Sequence, residues 1–218
     1  THSVEGMFGT NPFTLGVPTD EAFDWNFDAA TSTIQNGKIE YYERSGKPTP
    51  AGLTVTGDGG TMTDSGEILR QMRAGNCALT PLGGLGEETA GFKGYGYATV
   101  VEILSAALQQ GAFLKGLLGF SPEGNKQPYH LGHFFIAINI EAFTEADAFK
   151  KTTGDILREL RASRKAPGCS RIYTAGEKEY IAYQDRSVKG VPVNEALQKV
   201  MIQLKKECKL DSYSFDFE

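Results

Sequence analysis

Residues 83–96 read GGLGEETAGFKGYG, a stretch with six glycines and one lysine, Lys93, in fourteen positions. Glycine loses more backbone entropy on folding than any other residue and adds no side chain to a core, so this density needs a geometric reason. Either the backbone turns sharply and packs closely against a neighbour, or bare backbone approaches a ligand. A largely apolar segment follows, so the glycines lie at the start of a predicted core element.

Neither of two familiar phosphate-binding motifs fits this stretch. Gly86 and Gly91 have the spacing of a P-loop, but Phe-Lys-Gly follows, so the lysine is displaced and the magnesium-binding hydroxyl is missing. The dinucleotide fingerprint also fails, because Thr99 stands where its third glycine belongs. A P-loop or a Rossmann site is therefore not predicted.

Two interpretations of the glycine stretch remain open. Backbone N–H groups at a helix N-terminus, together with the charge of Lys93, attract an anion such as a phosphate or a carboxylate. Alternatively, the glycines only form turns and allow close helix packing, and Lys93 is solvated.

The charge balance argues against a polyanionic partner. The 218 residues contain 22 basic and 27 acidic side chains, so we expect no nucleic acid and no membrane surface as a partner. The most apolar region, 97–120, is interrupted by Glu102 and Lys115, and its uncharged run is too short to span a membrane. A small neutral or anionic ligand is the expected partner.

The three cysteines, Cys77, Cys169 and Cys208, form no CxxC pair and cannot all pair within one chain. This pattern favours free thiols in a reducing compartment, so we expect a cytoplasmic protein. The first residues, THSVEGMFGTNP, lack an initiating methionine and the features of a signal or transit peptide. We therefore expect a fragment or a processed chain.

Strands and turns are predicted first, followed by helices. Residues 12–19 and 22–34 are apolar runs punctuated by glycine and proline, and residues 51–61 end in a turn at Gly57 to Gly60, which is typical of short strands joined by turns. Asp64, with Glu67 three positions later, is a capping-box pattern that predicts the start of a helix.

The later segments predict a mixture of helix and strand. An apolar helix over 98–110, with one narrow polar stripe, should be covered on most sides. HFFIAINI, residues 133–140, predicts a buried strand of the kind found at the centre of a layered α/β sheet. Residues 170–183 predict two short strands around a turn at Gly176, and helices are predicted after Thr144 and after GVPVNEA.

Local motifs assign no catalytic residue and no metal. His130 and His133 are three residues apart, but Gly132 and the predicted strand argue against a shared helix face, so we interpret them as polar residues at a strand entry. No Ser/His/Asp or Cys/His set is recognisable from local spacing. GEKE, residues 176–179, is in isolation a charged turn.

Eight stretches of the chain together resemble the malate/L-lactate dehydrogenase family. Each motif alone is weak, but their shared order is specific, and the resemblance extends to about Leu204. The stretches are FGTNPF (8–13), DAATSTIQNGKI (28–39), LTPLGG (79–84), FKGYG (92–96), VEILSAALQQGA (101–112), HFFIAINI (133–140), AGEKE (175–179) and KGVPV (189–193).

The resemblance implies an oxidoreductase that transfers a hydride between NAD or NADP and a 2-hydroxy acid/2-oxo acid pair. It implies an α/β fold, a three-layer α/β/α sandwich with a mixed sheet that binds nicotinamide without a Rossmann motif. Residues 1–192 would form this cofactor domain, incomplete at its N-terminus, and 193–218 a C-terminal helix and tail packing on a helical subdomain. Family members are usually dimers, so a homodimer is expected.

The same resemblance implies which residues meet the ligands. A strand end and turn would contact the cofactor, Lys93 and Gly94 would meet its phosphates, and a second loop would close on another part of it. Asn11, in the FGTNP turn, would contribute to the substrate site. The strand end and turn are Asp28, Ala29, Ala30, Thr31 and Ser32, and the second loop is Gly176, Glu177 and Lys178.

The chain departs from the family pattern at its start. Family members carry a portion before the GTNP motif that supplies a histidine as general acid/base and an arginine for the substrate carboxylate. His2 is too close to Thr10 to be that histidine, so the catalytic residue stays unassigned. In the implied reaction, hydride passes from the carbinol carbon to the nicotinamide while a base takes the hydroxyl proton.

Malate is the leading substrate implied by the resemblance. Lactate, sulfolactate, ureidoglycolate and cyclic imine carboxylates are the alternatives within the family. A non-catalytic nucleotide-binding module, or a hydrolase or transferase that uses the same loop for an anion, is the alternative outside it.

Overall fold

The computed structural model describes residues 2–121 and 123–218, within which short strands and helices are mixed. This confirms the predicted α/β class. In chain order the elements are β1 (Phe13–Val17), β2 (Trp25–Ala29), α1 (Asn36–Arg44), β3 (Thr54–Thr56), α2 (Ser65–Arg73), β4 (Cys77–Leu79), α3 (Gly91–Ala106), α4 (Ala146–Ala162), α5 (Glu177–Lys189) and α6 (Glu195–Glu207). Short 3-10 helices lie at Ala107–Gln109, Leu114–Leu118 and Ile140–Ala142.

The chain divides into two compact units. The first comprises the described residues up to Gly16 together with those of Asn26–Ala146, and it includes α1 to α3. The second comprises Val17–Trp25 and Asp147–Glu218, and it includes α5, α6 and nearly all of α4. The domain boundary predicted after residue 192 concerns the complete family fold and stays a prediction.

Two small sheets and two helices organise the first unit. β1 pairs with β2, and β3 pairs antiparallel with β4, so that Val55 stands opposite Ala78. Within residues 2–121 and 123–218 no larger sheet forms. Helix α1 packs on α2, and α2 on β4, around a small apolar core. The buried members of that core are Ile34, Ile39, Ile68, Leu69 and Cys77.

Helix α2 begins where the capping pattern predicts. The side chain of Asp64 accepts a hydrogen bond from the Glu67 N–H at 2.8 Å, which satisfies one of the free donors of the first turn. Gly75 follows the helix with a φ of +78°, in the left-handed region that favours glycine. Both ends of the helix are thus fixed by local chemistry.

The prediction of a buried strand at 133–140 is wrong. The backbone there is irregular up to the 3-10 helix at Ile140–Ala142, and Phe135, Ile136 and Ile138 are 86, 70 and 68% exposed. A strand is stabilised by hydrogen bonds to a neighbouring strand, and none of the described strands pairs with this segment. Its β-favouring composition is therefore not enough to form one.

Two further expectations fail, whereas α4 and α6 form as predicted. Helix α3 is not covered on most sides, because Tyr97 and Ile103 are both exposed. Residues 177–189 form α5 instead of the second strand of a hairpin. Gly176 precedes this helix with a φ of +86°, and the Glu, Lys, Gln and Arg residues that follow are good helix formers.

Candidate functional site

Thr31 connects three distant segments of the first unit through backbone hydrogen bonds. Its N–H donates to the carbonyl of Thr10 in the FGTNP turn at 3.4 Å, and its own carbonyl accepts from Leu82 N–H at 3.0 Å. Leu82 then accepts from the N–H of Gly94, in the first turn of α3, at 3.1 Å. The predicted cofactor segment 28–32 is thereby tied to both the start of α3 and the predicted substrate turn.

Close packing explains two of the glycines at the start of α3. A Cβ on Gly94 would lie 2.3 Å from the backbone nitrogen of Leu82, and one on Gly91 would lie 2.0 Å from the carbonyl oxygen of Gly84. These distances lie far inside van der Waals contact, so only glycine fits. Gly96, on the same helix, has nothing within 4 Å of its Cβ position. The packing interpretation of the stretch is thus supported at Gly91 and Gly94.

Lys93 lies between these packed glycines and is exposed. In the described part of the chain its ammonium has no carboxylate partner. Its backbone N–H donates to Ala90 O at 3.0 Å, and Ala90 precedes the helix in the left-handed conformation, with φ of +60°. A helix N-terminus carries a partial positive charge, so α3 and Lys93 together favour an anion. The N–H groups of Gly91 and Gly94 are also donated within the protein, to Gly86 O and Leu82 O, so the ammonium of Lys93, more than free backbone donors, favours an anion in this stretch.

The segment 28–32 has one exposed carboxylate and a buried end. Asp28, at the end of β2, accepts a hydrogen bond from the Thr14 hydroxyl at 2.8 Å and remains exposed. Ala30 and Thr31 are buried, and the Ser32 hydroxyl donates to a carbonyl two residues later at 2.8 Å. Backbone hydrogen bonds hold segment 28–32 in place. Within this segment, the exposed carboxylate of Asp28 is available to accept hydrogen bonds from a ligand's hydroxyl groups.

Asn11 uses its amide to tie the FGTNP turn to α3. Its Nδ2 donates to Ala98 O at 3.0 Å and to Glu102 Oε2 at 2.8 Å, which employs both amide protons. The other oxygen of Glu102 accepts from Leu114 N–H at 2.7 Å. The φ of Asn11 is +41°, a conformation that asparagine tolerates better than most residues. What Asn11 can still offer a substrate is its carbonyl oxygen.

Sequence reasoning missed two residues of this site, Leu82 and Glu102. Leu82 contributes only backbone groups, and its signal is its place within the LTPLGG motif. Glu102 was expected only to interrupt an apolar helix, yet its carboxylate joins Asn11 to the loop before Leu114. A lone acidic residue in an apolar helix is the signal that could have indicated such a role, because buried charge needs partners.

The second predicted loop, Gly176 to Lys178, lies in the second unit at the start of α5. Glu177 is 2% exposed, and its Oε2 accepts from Thr174 N–H at 3.0 Å. Its Oε1 pairs with Arg171. Lys178 is exposed, and its ammonium lies 5.0 Å from the centroid of the Tyr173 ring. Of the three predicted residues, the structure therefore makes Glu177 internal and leaves Lys178 accessible.

A network of ion pairs surrounds Glu177 within the second unit. Arg161 lies 3.8 Å from the Glu177 carboxylate and also pairs with Glu21. Burial raises the pKa of Glu177, but the Thr174 N–H and the charges of Arg171 and Arg161 outweigh it, so the pKa lies below its ordinary value. Glu177 is thus held ionised at neutral pH.

Arg158 extends this network along α4. It makes two hydrogen bonds to the carboxylate of Asp20, at 2.9 and 3.1 Å, and a third to Asp155 at 2.8 Å. The hydrogen bonds from Arg158 lower the pKa of Asp20 below its usual range. Exposed pairs such as these stabilise a fold only modestly, because water screens the charges. Their effect is to tie loop 17–25 to α4.

The predicted site residues fall into two groups. Asn11, the segment 28–32 and the pair Lys93 and Gly94 are joined in the first unit, and the Gly176 to Lys178 loop belongs to the second. Among the described residues, no three His, Cys, Asp or Glu side chains are grouped as a metal would require. A pocket of about 380 Å³ near α6, lined in part by Phe215, contains none of the predicted residues.

Two other observations concern the chain as a whole. Cys77 is buried, Cys169 and Cys208 are exposed, and all three thiols are free, as predicted. Burial raises the pKa of the Cys77 thiol. Of the helices described, none has the length and apolar character needed to cross a membrane.

The sequence profile of malate/L-lactate dehydrogenases matches residues 1–201. The chain belongs to the malate/L-lactate dehydrogenase family. The resemblance carried by the ordered motifs is thereby confirmed, and FGTNP, segment 28–32 and the start of α3 all lie inside the matched range.

Individual family members show how far the similarity reaches. Malate dehydrogenase from Pyrococcus horikoshii is 36% identical over 193 residues, which are 88% of this chain and 51% of that protein. The crystal structure of malate dehydrogenase from Entamoeba histolytica superposes with a TM-score of 0.89 at 38% identity, covering 99% of this chain and 58% of that one. A Δ1-pyrroline-2-carboxylate/Δ1-piperideine-2-carboxylate reductase from Pseudomonas putida is 32% identical over 189 residues, which cover 87% of this chain and 50% of the reductase. The chain spans about half the length of these relatives.

Asn11→Asp should destabilise this family member by about 2 kcal/mol, because two donated hydrogen bonds are lost and a carboxylate then faces Glu102 and Ala98 O. The deficit should shrink as the pH falls below about 5, since protonation of the new carboxyl restores a donor. Urea unfolding at several pH values measures both effects. Asn36→Asp, which removes one exposed contact to Glu40, is the matched control and should change stability by at most about 0.5 kcal/mol. An equal loss in both variants would contradict the role of Asn11.

Proposed function

We propose that the chain is the cofactor-binding part of an NAD- or NADP-dependent 2-hydroxy acid dehydrogenase whose substrate pair is malate and oxaloacetate. The backbone chain from Thr10 through Thr31 and Leu82 to Gly94 carries this proposal, because it assembles the implied substrate turn, cofactor segment and phosphate loop in one place. Malate is favoured because relatives named malate dehydrogenase reach 36% sequence identity.

The residues at the start of α3 fit a dinucleotide. In the proposal Lys93 and Gly94 lie beside a phosphate, which the exposed ammonium of Lys93, unpaired among the described residues, attracts. The N–H of Gly94 already donates to Leu82 O, so Gly94 contributes a closely packed backbone there and no free donor. In the proposal, Asp28, Ala29, Ala30, Thr31 and Ser32 border the rest of the cofactor, and Gly176, Glu177 and Lys178 close on another part of it. The bound nicotinamide supplies the hydride chemistry.

The chain's own contribution to the reaction is orientation. Asn11 fixes the FGTNP turn on α3, and its carbonyl oxygen is proposed to face the substrate hydroxyl. Holding substrate and cofactor at reacting distance is worth several orders of magnitude in rate. No general acid/base and no arginine for the substrate carboxylate are assigned among the 218 residues, so the proton transfer is left to groups outside the described site.

The layer architecture of the fold, the cellular location and the oligomeric state are also proposals. We propose that the described elements belong to a three-layer α/β/α sandwich with a mixed sheet, which the two small sheets do not form by themselves, and to a nicotinamide site without a Rossmann motif, with its cofactor domain over 1–192. The failure of the fingerprint at Thr99 supports the second feature. The free thiols support a cytoplasmic location, and the family supports a homodimer that binds neither nucleic acid nor membranes.

A second candidate function is a nucleotide-binding module without catalysis. It is favoured by the exposed ammonium of Lys93 at the start of α3, which has no carboxylate partner among the described residues and which accounts for binding of an anionic nucleotide without any proton transfer. A steady-state assay with malate and NAD(P), together with a titration of NAD(P)H binding, distinguishes the dehydrogenase from the non-catalytic module. Binding with turnover supports the dehydrogenase, binding without turnover supports the module for this polypeptide, and absence of binding contradicts both.

Lys93→Ala should weaken NAD(P)H binding about tenfold or more, because a charge-assisted contact to phosphate contributes about 1.5–3 kcal/mol. Cofactor fluorescence titrated with the protein measures the dissociation constant. Lys47→Ala removes another exposed lysine of the first unit and should leave the affinity unchanged. If Lys93→Ala binds as tightly as the unsubstituted chain, the glycine stretch serves packing alone.

A further inference from the structure

We infer that Glu177 is a positioning residue: its buried carboxylate holds the turn from Thr174 to Lys178 in the shape that the cofactor requires, without contacting the cofactor. The inference rests on the proposed function, in which this turn closes on NAD(P). It changes the role of Glu177 from a ligand-binding group to a support for its neighbours Gly176 and Lys178.

Both oxygens of the Glu177 carboxylate are occupied inside the protein. Oε2 accepts from the N–H and the hydroxyl of Thr174, at 3.0 and 3.3 Å, and Oε1 accepts from Arg171. The side chain is 3% exposed. A carboxylate in this state offers a dissolved ligand no accessible oxygen, so a direct contact with the cofactor would require the turn to open.

Charge leads to the same conclusion. The phosphates of a dinucleotide are anionic, and an unscreened carboxylate beside them would be repulsive. The guanidinium groups of Arg171 and Arg161 flank Glu177 and compensate its charge within the second unit. The carboxylate thus acts on the protein side of the turn, while the ammonium of Lys178 remains on the exposed side.

The turn benefits from such a support because it contains a glycine, whose backbone is the least restricted of any residue in the unfolded or unsupported chain. Gly176 has a φ of +86°, and a backbone hydrogen bond at 3.2 Å from Glu177 N–H to Thr174 O also closes the turn. Ordering a glycine-containing turn on binding costs conformational entropy, and a turn that is already ordered avoids that cost. Glu177 therefore preorganises the loop from the inside.

The test compares NAD(P)H affinity in three variants of the whole chain. Glu177→Gln should raise the dissociation constant about tenfold, since binding must then order the turn. Glu179→Gln removes an exposed charge from the same helix turn, and Leu157→Ala truncates a buried side chain of α4 in the same unit and so lowers stability. Both controls should stay within about twofold of the unsubstituted chain. Circular dichroism confirms that each variant is folded at the titration temperature.

The outcomes separate positioning from stability and from the proposed function. If Glu177→Gln and Leu157→Ala lose the same affinity for NAD(P)H, the loss follows stability and the inference is overturned. An unchanged affinity in Glu177→Gln would overturn it as well. If Glu177→Asp, which keeps the charge, binds NAD(P)H more tightly than Glu177→Gln does, the inference is supported. If Glu177→Gln does not fold, Thr174→Val removes one hydrogen bond to the same carboxylate and should show a smaller loss of the same kind. Absence of binding by the unsubstituted chain would overturn the proposed function and this inference together.

Discussion

Gly94→Ala should lower the free energy of unfolding by about 3 kcal/mol and weaken NAD(P)H binding with it. The new methyl group would lie 2.3 Å from the nitrogen and 2.4 Å from the oxygen of Leu82, which are backbone atoms that cannot rotate away. Overfilling a packed site costs about 1–3 kcal/mol, and overlap with backbone belongs at the top of that range. Relief requires α3 to move away from Leu82, which breaks the Gly94 N–H bond and the link to Thr31.

Gly96→Ala is the matched control for this prediction. Gly96 lies two residues later in α3 and has open space at its Cβ position. Alanine is the better helix former, so this variant should be more stable by up to about 1 kcal/mol. Urea unfolding of the two variants gives the comparison, and NAD(P)H titration shows whether affinity follows. Similar stabilities would show that the start of α3 has no close contact with Leu82.

The sequence predicts those parts of the fold that depend on neighbouring residues. The cap at Asp64 and the glycine at position 75 define α2 because each acts within one helical turn. The assembly of the site was predicted by the order of the family motifs, not by local pattern. Thr31 and Gly94 are 63 positions apart in the sequence, and backbone hydrogen bonds through Leu82 join them.

The structural predictions that proved wrong concern features that depend on residues far away in the sequence. The segment 133–140 has the composition of a strand, but a strand requires a neighbour that no local pattern can supply. Residues 170–183 predict two strands around a turn at Gly176, whereas the helix-forming residues after Gly176 form α5. The pairings of Glu177 with Arg161 and Arg171 depend likewise on side chains at other positions, which the motif does not encode, and the place of Glu177 in the cofactor site stays a prediction.

Removal of the Glu177 charge should lower the free energy of unfolding by about 3 kcal/mol at neutral pH. Glu177→Gln leaves Arg161, which is 19% exposed, with Glu21 as its remaining carboxylate among the described residues. Arg171 is 53% exposed and can be hydrated once its partner is gone. Breaking a buried ion pair costs about 3–5 kcal/mol, and the hydration of Arg171 places this one at the lower end.

This cost should disappear in acid. Because the pKa of Glu177 is lowered in the folded state, the unfolded chain binds the proton more tightly. The contribution of Glu177 is therefore complete above the unfolded pKa of about 4.3 and is lost as the pH falls through the lower folded value. The stability difference between the chain and Glu177→Gln should be constant from about pH 6 to 8 and shrink below about pH 4. Urea unfolding across this range measures it, with Glu179→Gln as an exposed control that should differ little at any pH. A difference that persists unchanged into acid would mean that the shape of the glutamate side chain, and not its charge, holds the turn.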